Sequence, residues 1–246
     1  MNLILLECGE VGEDGSVHLS GVRADHLRSV LKVTPGAGVR VGIVDGPPGV
    51  GIVQSIGDAG VSLRCAFDAA ALPRPAVDLL LALPRPKVMR RLWAQLAALG
   101  VGQIILTNAS RVERNYFDTH VLAPAGYRPL LVEGLQQARD THLPRVSIHR
   151  QFRILVEDLL DALVPSGGRL VADPGASRTA GEAVRAGGAG RILLAVGPEG
   201  GWNDFERALL GAHGFEGVGM GPRTLRTDTA CVALLALVHD ALRSAR

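Results

Sequence analysis

Residues 191–202, RILLAVGPEGGW, decide the fold class because they join an apolar run to a glycine-rich turn. A continuous apolar run without polar alternation is typical of a strand buried on both faces of a parallel sheet. Asn203 follows as a helix N-cap, and Glu206 stands three residues on, where it closes a capping box. The stretch therefore predicts a strand, a turn whose backbone can approach a ligand closely, and a helix. Its spacing is neither GxGxxG nor a P-loop, so ordinary dinucleotide binding is not indicated.

Apolar runs alternate with helix-period stretches through the last two thirds of the chain, which predicts an α/β domain with a parallel sheet. Between the first two runs, Val88, Leu92, Leu96 and Leu99 share one helical face, and Gly100 is a natural stop. Residues 229–238 are apolar nearly all round, which predicts a buried helix, against other elements or a second subunit. The predicted strands are 77–83, 103–107, 169–172, 191–196 and 215–220.

Residues 1–70 differ from the rest, since short β-rich segments alternate with Gly and Pro turns and predict a small barrel. One amphipathic stretch, 24–31, interrupts them. The prolines of residues 71–76 favour extended backbone, so we place a linker there and a second domain at 77–246. The predicted strands of the first domain are 3–6, 39–44, 50–56 and 61–67.

The composition, 47% hydrophobic and 20% charged over 246 residues, is that of a soluble globular protein. No apolar run approaches a membrane span and the start does not resemble a signal peptide, so we expect a cytoplasmic protein with no membrane contact. The three scattered cysteines argue against disulfides and zinc and are expected to be packing residues. The histidines lack metal-ligand spacing, so no metal is expected.

The net charge of +2 is too small to identify a partner, but its distribution is informative. Between Pro73 and Arg114 lie seven basic residues and only two acidic ones, Asp78 and Glu113. This stretch predicts phosphate contacts, with a solvated helix face as the alternative.

Two further stretches carry polar residues that could bind a ligand. Residues 220–230, MGPRTLRTDTA, leave a predicted strand and enter a helix that Thr227 can cap. Their two arginines either bind a carboxylate or phosphate group or are simply exposed on a surface turn. Residues 133–141, EGLQQARDT, set polar groups into a helix, with a solvated helix end as the alternative. Because parallel strands bind ligands at their carboxyl ends, the exits after 196 and 220 predict one shared pocket.

Residues 194–201 and 221–230, together with 25–36 and 133–139, resemble the RsmE family, which methylates N3 of a uridine in 16S ribosomal RNA of the bacterial small subunit. The resemblance implies a SPOUT-type, trefoil-knotted parallel-sheet methyltransferase domain at 77–246, preceded by a PUA-like β-barrel RNA-binding domain at 1–70. It further implies S-adenosyl-L-methionine as methyl donor and a homodimer formed through the C-terminal domain. The implied partner is 16S ribosomal RNA or the assembled small subunit.

The same resemblance implies the site residues. Arg226 and Arg139 would orient the uridine or lower its imide pKa, and Glu133 would belong to the same catalytic element. The implied donor-binding residues are Ala172, Asp173, Pro174, Val196, Gly197, Pro198, Glu199, Gly200, Gly201, Met220, Gly221, Pro222, Arg223, Thr224, Leu225 and Arg226. The expected RNA-binding residues are Arg28, Lys32, Arg85, Lys87, Arg90, Arg91 and Arg111.

Two other functions fit the same residues. One is a methyltransferase of the same architecture that acts on transfer RNA or on a ribose 2′-OH. The other is a non-catalytic RNA-binding or ribosome-assembly factor that keeps the fold without the chemistry. The sequence identifies no general base.

Overall fold

The computed structural model describes residues 3–188, 190–221 and 223–244. The chain forms two compact units, each with its own sheet. The N-terminal unit consists of Met1–Arg74 and Leu131–Leu143, and the C-terminal unit of Pro75–Leu130 and Pro144–Arg246.

The N-terminal unit is built on a five-stranded sheet of order β1-β3-β4-β5-β2. The pair β1/β3 is parallel and the other pairs are antiparallel. The helix α1 continues into a π-helical turn, His26–Val30, and its Leu27 is fully buried in the core. The predicted strands and the amphipathic stretch are confirmed, whereas β2 was not predicted because it offers only two buried apolar residues. The elements are β1 (Ile4–Leu6), β2 (Ser16–Leu19), α1 (Gly21–Asp25), β3 (Gly38–Ile43), β4 (Pro48–Gly57) and β5 (Gly60–Phe67).

Residues 131–143 belong to the N-terminal unit, although the sequence pattern places them within the second domain. Thr141 explains the difference, because its hydroxyl donates to the Gly46 carbonyl at 2.7 Å. The amide of Asp45 in turn donates to the Thr141 carbonyl at 2.8 Å, and the Leu143 amide donates to the Asp45 carboxylate at 3.3 Å. These contacts join residues that are distant in sequence, so no local sequence pattern predicts them.

The C-terminal unit contains six strands, all parallel, in the order β11-β9-β10-β6-β7-β8. All five predicted strands are present, with the last ending at Val218 rather than at 220. The edge strand β8 was not predicted, since its residues are only partly buried and form no apolar run. The strands are β6 (Val77–Ala82), β7 (Val101–Thr107), β8 (Arg145–His149), β9 (Gly168–Ala172), β10 (Ile192–Val196) and β11 (Phe215–Val218).

The helices of this unit include α2 (Pro86–Ala98), which begins with a proline at its first position and ends before Gly100, where φ is +76°. Its buried face is Met89, Leu92, Trp93 and Leu96, slightly rotated from the predicted one. A π-helical turn, Leu155–Leu159, joins α4 and α5. The other helices are α3 (Pro124–Ala138), which crosses into the N-terminal unit, α4 (Phe152–Ile154), α5 (Leu160–Leu163), α6 (Ala180–Gly187), α7 (Asp204–Ala212) and α8 (Thr227–Ser244).

The predicted buried helix at 229–238 lies inside α8, which packs against α2 and α6. Cys231, Leu234 and Val238 are buried, whereas Leu237 is 42% exposed, so the helix is not covered all round. No helix within 3–188, 190–221 and 223–244 has both the length and the apolar character needed to cross a membrane.

The cysteines have two kinds of environment. Cys65 and Cys231 are buried, and burial raises the pKa of both thiols. The packing role is therefore confirmed for these two. It was wrong for Cys8, which is exposed at the start of a short 3-10 turn.

An ion pair between a buried carboxylate, Asp78, and a half-exposed guanidinium, Arg191, joins β6 to the start of β10. Asp78 is 1% exposed, and Arg191 donates from Nε to its Oδ2 at 2.5 Å and from Nη2 to its Oδ1 at 2.8 Å. The hydrogen bond to Asp78 raises the pKa of the Arg191 guanidinium. The two-pronged geometry satisfies a carboxylate that stands in an otherwise apolar strand.

We expect Arg191→Ala to lower the free energy of unfolding by about 3 kcal/mol, because it leaves the Asp78 carboxylate buried without a partner. Urea denaturation monitored by circular dichroism measures this change. The matched control is Arg243→Ala, whose side chain is 81% exposed and 3.5 Å from Asp240, and which should cost less than about 1 kcal/mol. Equal losses in the two variants would contradict the importance of this ion pair.

Candidate functional site

Two adjoining cavities of about 120 and 60 Å³ lie where β9, β10 and β11 end. We call them together the donor cavity, after the methyl donor that the sequence resemblance implies. Because carboxyl ends of parallel strands meet at one edge, the segments that follow these strands come together there. Both cavities share Ala172, Asp173, Pro174, Leu225 and Ala230.

The structure places most of the expected donor-binding residues around this cavity. The larger part is also lined by Val196, Gly197, Pro198, Glu199, Gly201 and Thr224, and the smaller part by Met220, Gly221 and Arg223. Gly200 and Arg226 belong to the same segments but do not line either part. Pro222 lies outside the described residues.

The glycine-rich turn after β10 needs its glycines because side chains press on it. A Cβ at Gly197 would come within 3.1 Å of the Trp202 indole nitrogen, and one at Gly200 within 2.8 Å of Arg111 Cδ. Gly201 has φ +73°, the left-handed region that glycine adopts without strain. The backbone of the turn therefore lies directly against the donor cavity.

Glu206 fixes the far end of this turn. The Asn203 side chain accepts from the Glu206 amide at 2.8 Å, and the Asn203 amide donates to the Glu206 carboxylate at 2.9 Å, so the predicted capping box is confirmed. Glu206 is only 3% exposed, and its other oxygen accepts from the Ser110 amide at 2.6 Å. One carboxylate thus joins the start of α7 to the segment that follows β7.

Thr227 connects the second strand exit to the first. It was expected to cap α8, and this was wrong, because α8 begins at Thr227 itself. Its hydroxyl donates instead to the Gly197 carbonyl at 3.3 Å. A threonine in a helical first turn can donate to a nearby carbonyl, and here tertiary packing supplies one.

Several residues of the donor cavity were not predicted. Trp202 is 3% exposed, packs on Phe152 with ring centroids 5.3 Å apart, and lines the cavity. Its Nε1 is buried without a hydrogen-bond partner in the described part of the chain. Arg207 also lines the cavity and donates to the Trp202 carbonyl at 2.7 Å. The only signal in the sequence was the position of Trp202 directly after the glycine-rich turn.

The three residues expected to be catalytic are divided between the units. Arg226 is exposed in the segment before α8 of the C-terminal unit, whereas Glu133 and Arg139 are exposed in the N-terminal unit. Arg139 follows α3 with φ +61°, and the Asp140 amide donates to the Leu135 carbonyl at 3.1 Å. This is the Schellman helix end, in which glycine normally occupies the left-handed position. A strained arginine of this kind is often found at functional sites.

Several of the expected RNA-binding arginines have partners within the protein. Arg111 donates to the Gly200 carbonyl, and Arg91 lies 3.0 Å from the Asp228 carboxylate. Arg28 donates to Asp25 at 2.5 Å and to the Gly57 carbonyl at 2.8 Å. The remaining residues, Lys32, Arg85, Lys87 and Arg90, are exposed.

Comparison with known proteins agrees with this arrangement. The model of the RNA methyltransferase domain family matches residues 71–239. The ribosomal RNA small subunit methyltransferase E of Treponema pallidum is 30% identical over 251 residues, covering 97% of this chain and 90% of that protein. The protein of the same name from Mycobacterium tuberculosis is 26% identical, covering 89% of this chain and 84% of its own.

Solved structures share the fold. A ribosomal RNA small subunit methyltransferase E from Neisseria gonorrhoeae, bound to S-adenosyl methionine, has a TM-score of 0.77 at 22% identity and covers 98% of this chain and 97% of that one. A methyltransferase from Legionella pneumophila, in complex with the same cofactor, has a TM-score of 0.72 at 21% identity, with 98% of each chain covered. Like these proteins, the chain has a parallel-sheet α/β unit and a separate β-sheet unit.

The family model spans more than half of the chain, and the Treponema pallidum protein is related over nearly its whole length. The chain therefore belongs to the ribosomal RNA small subunit methyltransferase E family of RNA methyltransferases.

Proposed function

We propose that this protein methylates N3 of a specific uridine in 16S ribosomal RNA, with S-adenosyl-L-methionine as donor. The observation that carries the proposal is the donor cavity, where the glycine-rich turn meets the Trp202 indole at the ends of three parallel strands. The Trp202 Nε1 has no hydrogen-bond partner among the residues that the structure describes. The Neisseria gonorrhoeae enzyme of this family and fold holds S-adenosyl methionine. The proposal includes a cytoplasmic location, because its acceptor is ribosomal RNA.

The residues of the donor cavity fit the donor. Backbone groups of residues 197–199 and 201 and of residues 220, 221 and 223–225, with the strand end at Ala172–Pro174, would hold its adenosine and methionine parts. The Trp202 Nε1 can donate to one of its acceptor atoms, and this satisfies a buried group that otherwise lacks a partner. Both parts of the cavity are smaller than the roughly 300 Å³ of common ligand pockets, so we expect the cavity to widen when the donor binds.

When bound, S-adenosyl-L-methionine supplies a methyl group on a sulfonium, ready for transfer to a nucleophilic nitrogen. The protein's task is to hold the unstacked uridine in line and to favour loss of its N3 proton. Arg226 lies in the segment that covers the donor cavity, so its positive charge is suited to stabilise the imide anion and lower the imide pKa. The proposal keeps Arg139 as a residue that orients the base and Glu133 as part of the same catalytic element, as the family resemblance implies.

The domain assignments belong to the same proposal. Residues 1–70 would form a PUA-like RNA-binding domain, 71–76 a linker, and 77–246, apart from the residues 131–143 that belong to the N-terminal unit, a SPOUT domain with a trefoil knot. The hydrogen bond from Thr227 to Gly197 brings the chain that enters α8 against the exit of β10, a proximity that such a knot would need. Exposed Lys32, Arg85, Lys87 and Arg90 would contact RNA phosphates, and Arg28, Arg91 and Arg111 would do so beside their contacts within the protein.

A homodimer through the C-terminal unit also belongs to this proposal, and the 42% exposed Leu237 on otherwise well-packed α8 supports it. The acceptor would be naked 16S ribosomal RNA or the assembled small subunit.

Mass spectrometry of nucleosides from small-subunit RNA of cells with and without the gene tests the reaction. Loss of 3-methyluridine from cells without the gene supports the proposal. Loss of a transfer-RNA or ribose methyl instead would replace the proposed acceptor.

We expect Arg226→Ala to slow methyl transfer by about 100-fold, because it removes a charge that stabilises the transition state. Donor affinity should change less than about twofold, since Arg226 does not line the donor cavity. Single-turnover transfer of labelled methyl to transcribed 16S ribosomal RNA, with calorimetry for the donor, measures both. Arg226→Lys is the control that keeps the charge and should retain part of the rate. Unchanged turnover in Arg226→Ala would remove this residue from the mechanism.

We expect Trp202→Phe to weaken donor binding about threefold to tenfold, the effect of one lost hydrogen bond. The ring keeps its packing on Phe152, so the fold is retained. The chain has two tryptophans, and the other, Trp93, is buried with its Nε1 bonded to the Val121 carbonyl at 3.1 Å. Donor addition should therefore change tryptophan fluorescence in the unmodified protein and leave it unchanged in Trp202→Phe. A retained fluorescence change with unaltered affinity would show that Trp202 does not contact the donor.

A further inference from the structure

A second cavity, of about 470 Å³, opens at the carboxyl ends of β7 and β8. The segment Asn108–Ser110 lines it below, residues 150–154 form one wall, and the start of α7 forms the other. The volume lies within the range of about 300–1,000 Å³ found for small-molecule sites. Its place at the sheet edge is one at which open α/β folds bind ligands. None of the expected site residues lines it.

The lining combines an exposed aromatic ring with planar polar groups. Phe205 is 56% exposed, which is unusual for a phenylalanine beside a cavity and leaves its face available. Asn108 and Gln151 contribute side-chain amides to the same cavity, and Asn108 Oδ1 is buried without a partner among the described residues. A stacking face next to amides that can donate and accept suits an unpaired nucleobase.

The cavity is rigidly built. Phe205 stands in the first turn of α7, which the capping box of Asn203 and Glu206 fixes and the Ser110 amide ties to the cavity floor. Arg150 is held at the rim, since it donates to the Phe117 carbonyl at 3.1 Å and to Asp118 at 2.8 Å. Because Asp118 offsets its charge, Arg150 contributes a planar hydrogen-bonding edge more than a strong attraction for phosphate.

An aromatic wall separates this cavity from the donor cavity. Phe152 lines the first and Trp202 lines the second, and both rings are buried, with centroids 5.3 Å apart. A base in the second cavity would therefore be separated from the donor cavity by two buried rings, so it would not be the base that receives the methyl.

We propose that the second cavity binds an unpaired nucleobase of the acceptor RNA that neighbours the methylated uridine. Phe205 stacks on the base, Asn108 and Gln151 contact its hydrogen-bonding edge, and Arg150 closes the rim. The proposal rests on the proposed function, since it assigns part of the RNA specificity to this site. Contacts to flanking nucleotides are a common way for base-modifying enzymes to select sequence context.

The test compares Phe205→Ala with Phe205→Trp in the full-length protein, using transcribed 16S ribosomal RNA and purified small subunits as probes. Phe205→Ala should weaken binding about tenfold, the effect of losing one stacked base, whereas Phe205→Trp keeps a stacking surface and should bind as tightly as the unmodified protein. The salt dependence should stay the same in both, because no phosphate contact is lost. Arg243→Gln, which removes one exposed charge elsewhere, controls for general charge effects.

Binding of Phe205→Ala equal to that of the unmodified protein, on both RNA probes, would overturn the proposal. A photo-crosslinking amino acid at position 205 identifies the occupant independently. Crosslinks to RNA support the proposal, whereas crosslinks only to protein, including a second copy of this chain, overturn it. Failure of the proposed function looks different, because the unmodified protein would then neither bind the donor nor transfer methyl to either RNA.

Discussion

Hydrogen bonds from side chains join the segments that follow β7, β10 and β11, and they hold the carboxyl edge of the sheet, where the donor cavity lies, in one arrangement. The Thr227 hydroxyl reaches the Gly197 carbonyl, and Glu206 bonds the amides of Asn203 and Ser110. Arg111 holds the Gly200 carbonyl from the outside. Each of these hydrogen bonds satisfies a backbone group that lies beyond the last residue of a strand and has no partner in the sheet. The same contacts that stabilise the edge therefore also shape the cavity.

Most of the sheet could be predicted from apolar runs, because central parallel strands are buried on both faces and leave a strong local signal. The edge strand β8 lacks that signal, since half-exposed residues such as Arg145 and Ile148 do not form a run. The return of residues 131–143 to the N-terminal unit depends on Thr141 contacting Gly46, which is a tertiary event. Local patterns contain no information about such a pairing.

In the site, features of the backbone could be predicted from the sequence, whereas the contacts of most side chains could not. Glycines at 197, 200 and 201 marked the turn correctly, because close approach and positive φ are properties of the backbone that restrict sequence. The roles of Trp202 and Arg207 depend on which way α7 leaves the turn, and no spacing rule predicts that. The partners of the arginines were the hardest feature to predict, because a stretch of basic residues indicates positive charge but not the group that each side chain contacts. Arg91 and Arg111 are paired within the protein, whereas Lys87 and Arg90 on the same stretch are exposed.

The Phe152–Trp202 contact divides the sheet edge into two cavities, for which we propose different roles. Transfer of a methyl group requires a closed, water-poor contact between donor and acceptor, whereas recognition of RNA requires surfaces open to a long polymer. The two buried rings, packed against each other, would separate the closed site that transfer requires from the open surface that RNA recognition requires, with no flexible loop between the two. Because Phe152 belongs to α4 and Trp202 follows the glycine-rich turn, a displacement of Trp202 by a bound donor would be transmitted to the α4 side of the second cavity. If both proposals hold, donor and RNA binding are coupled through this packed pair, in either order of binding, since such coupling is reciprocal.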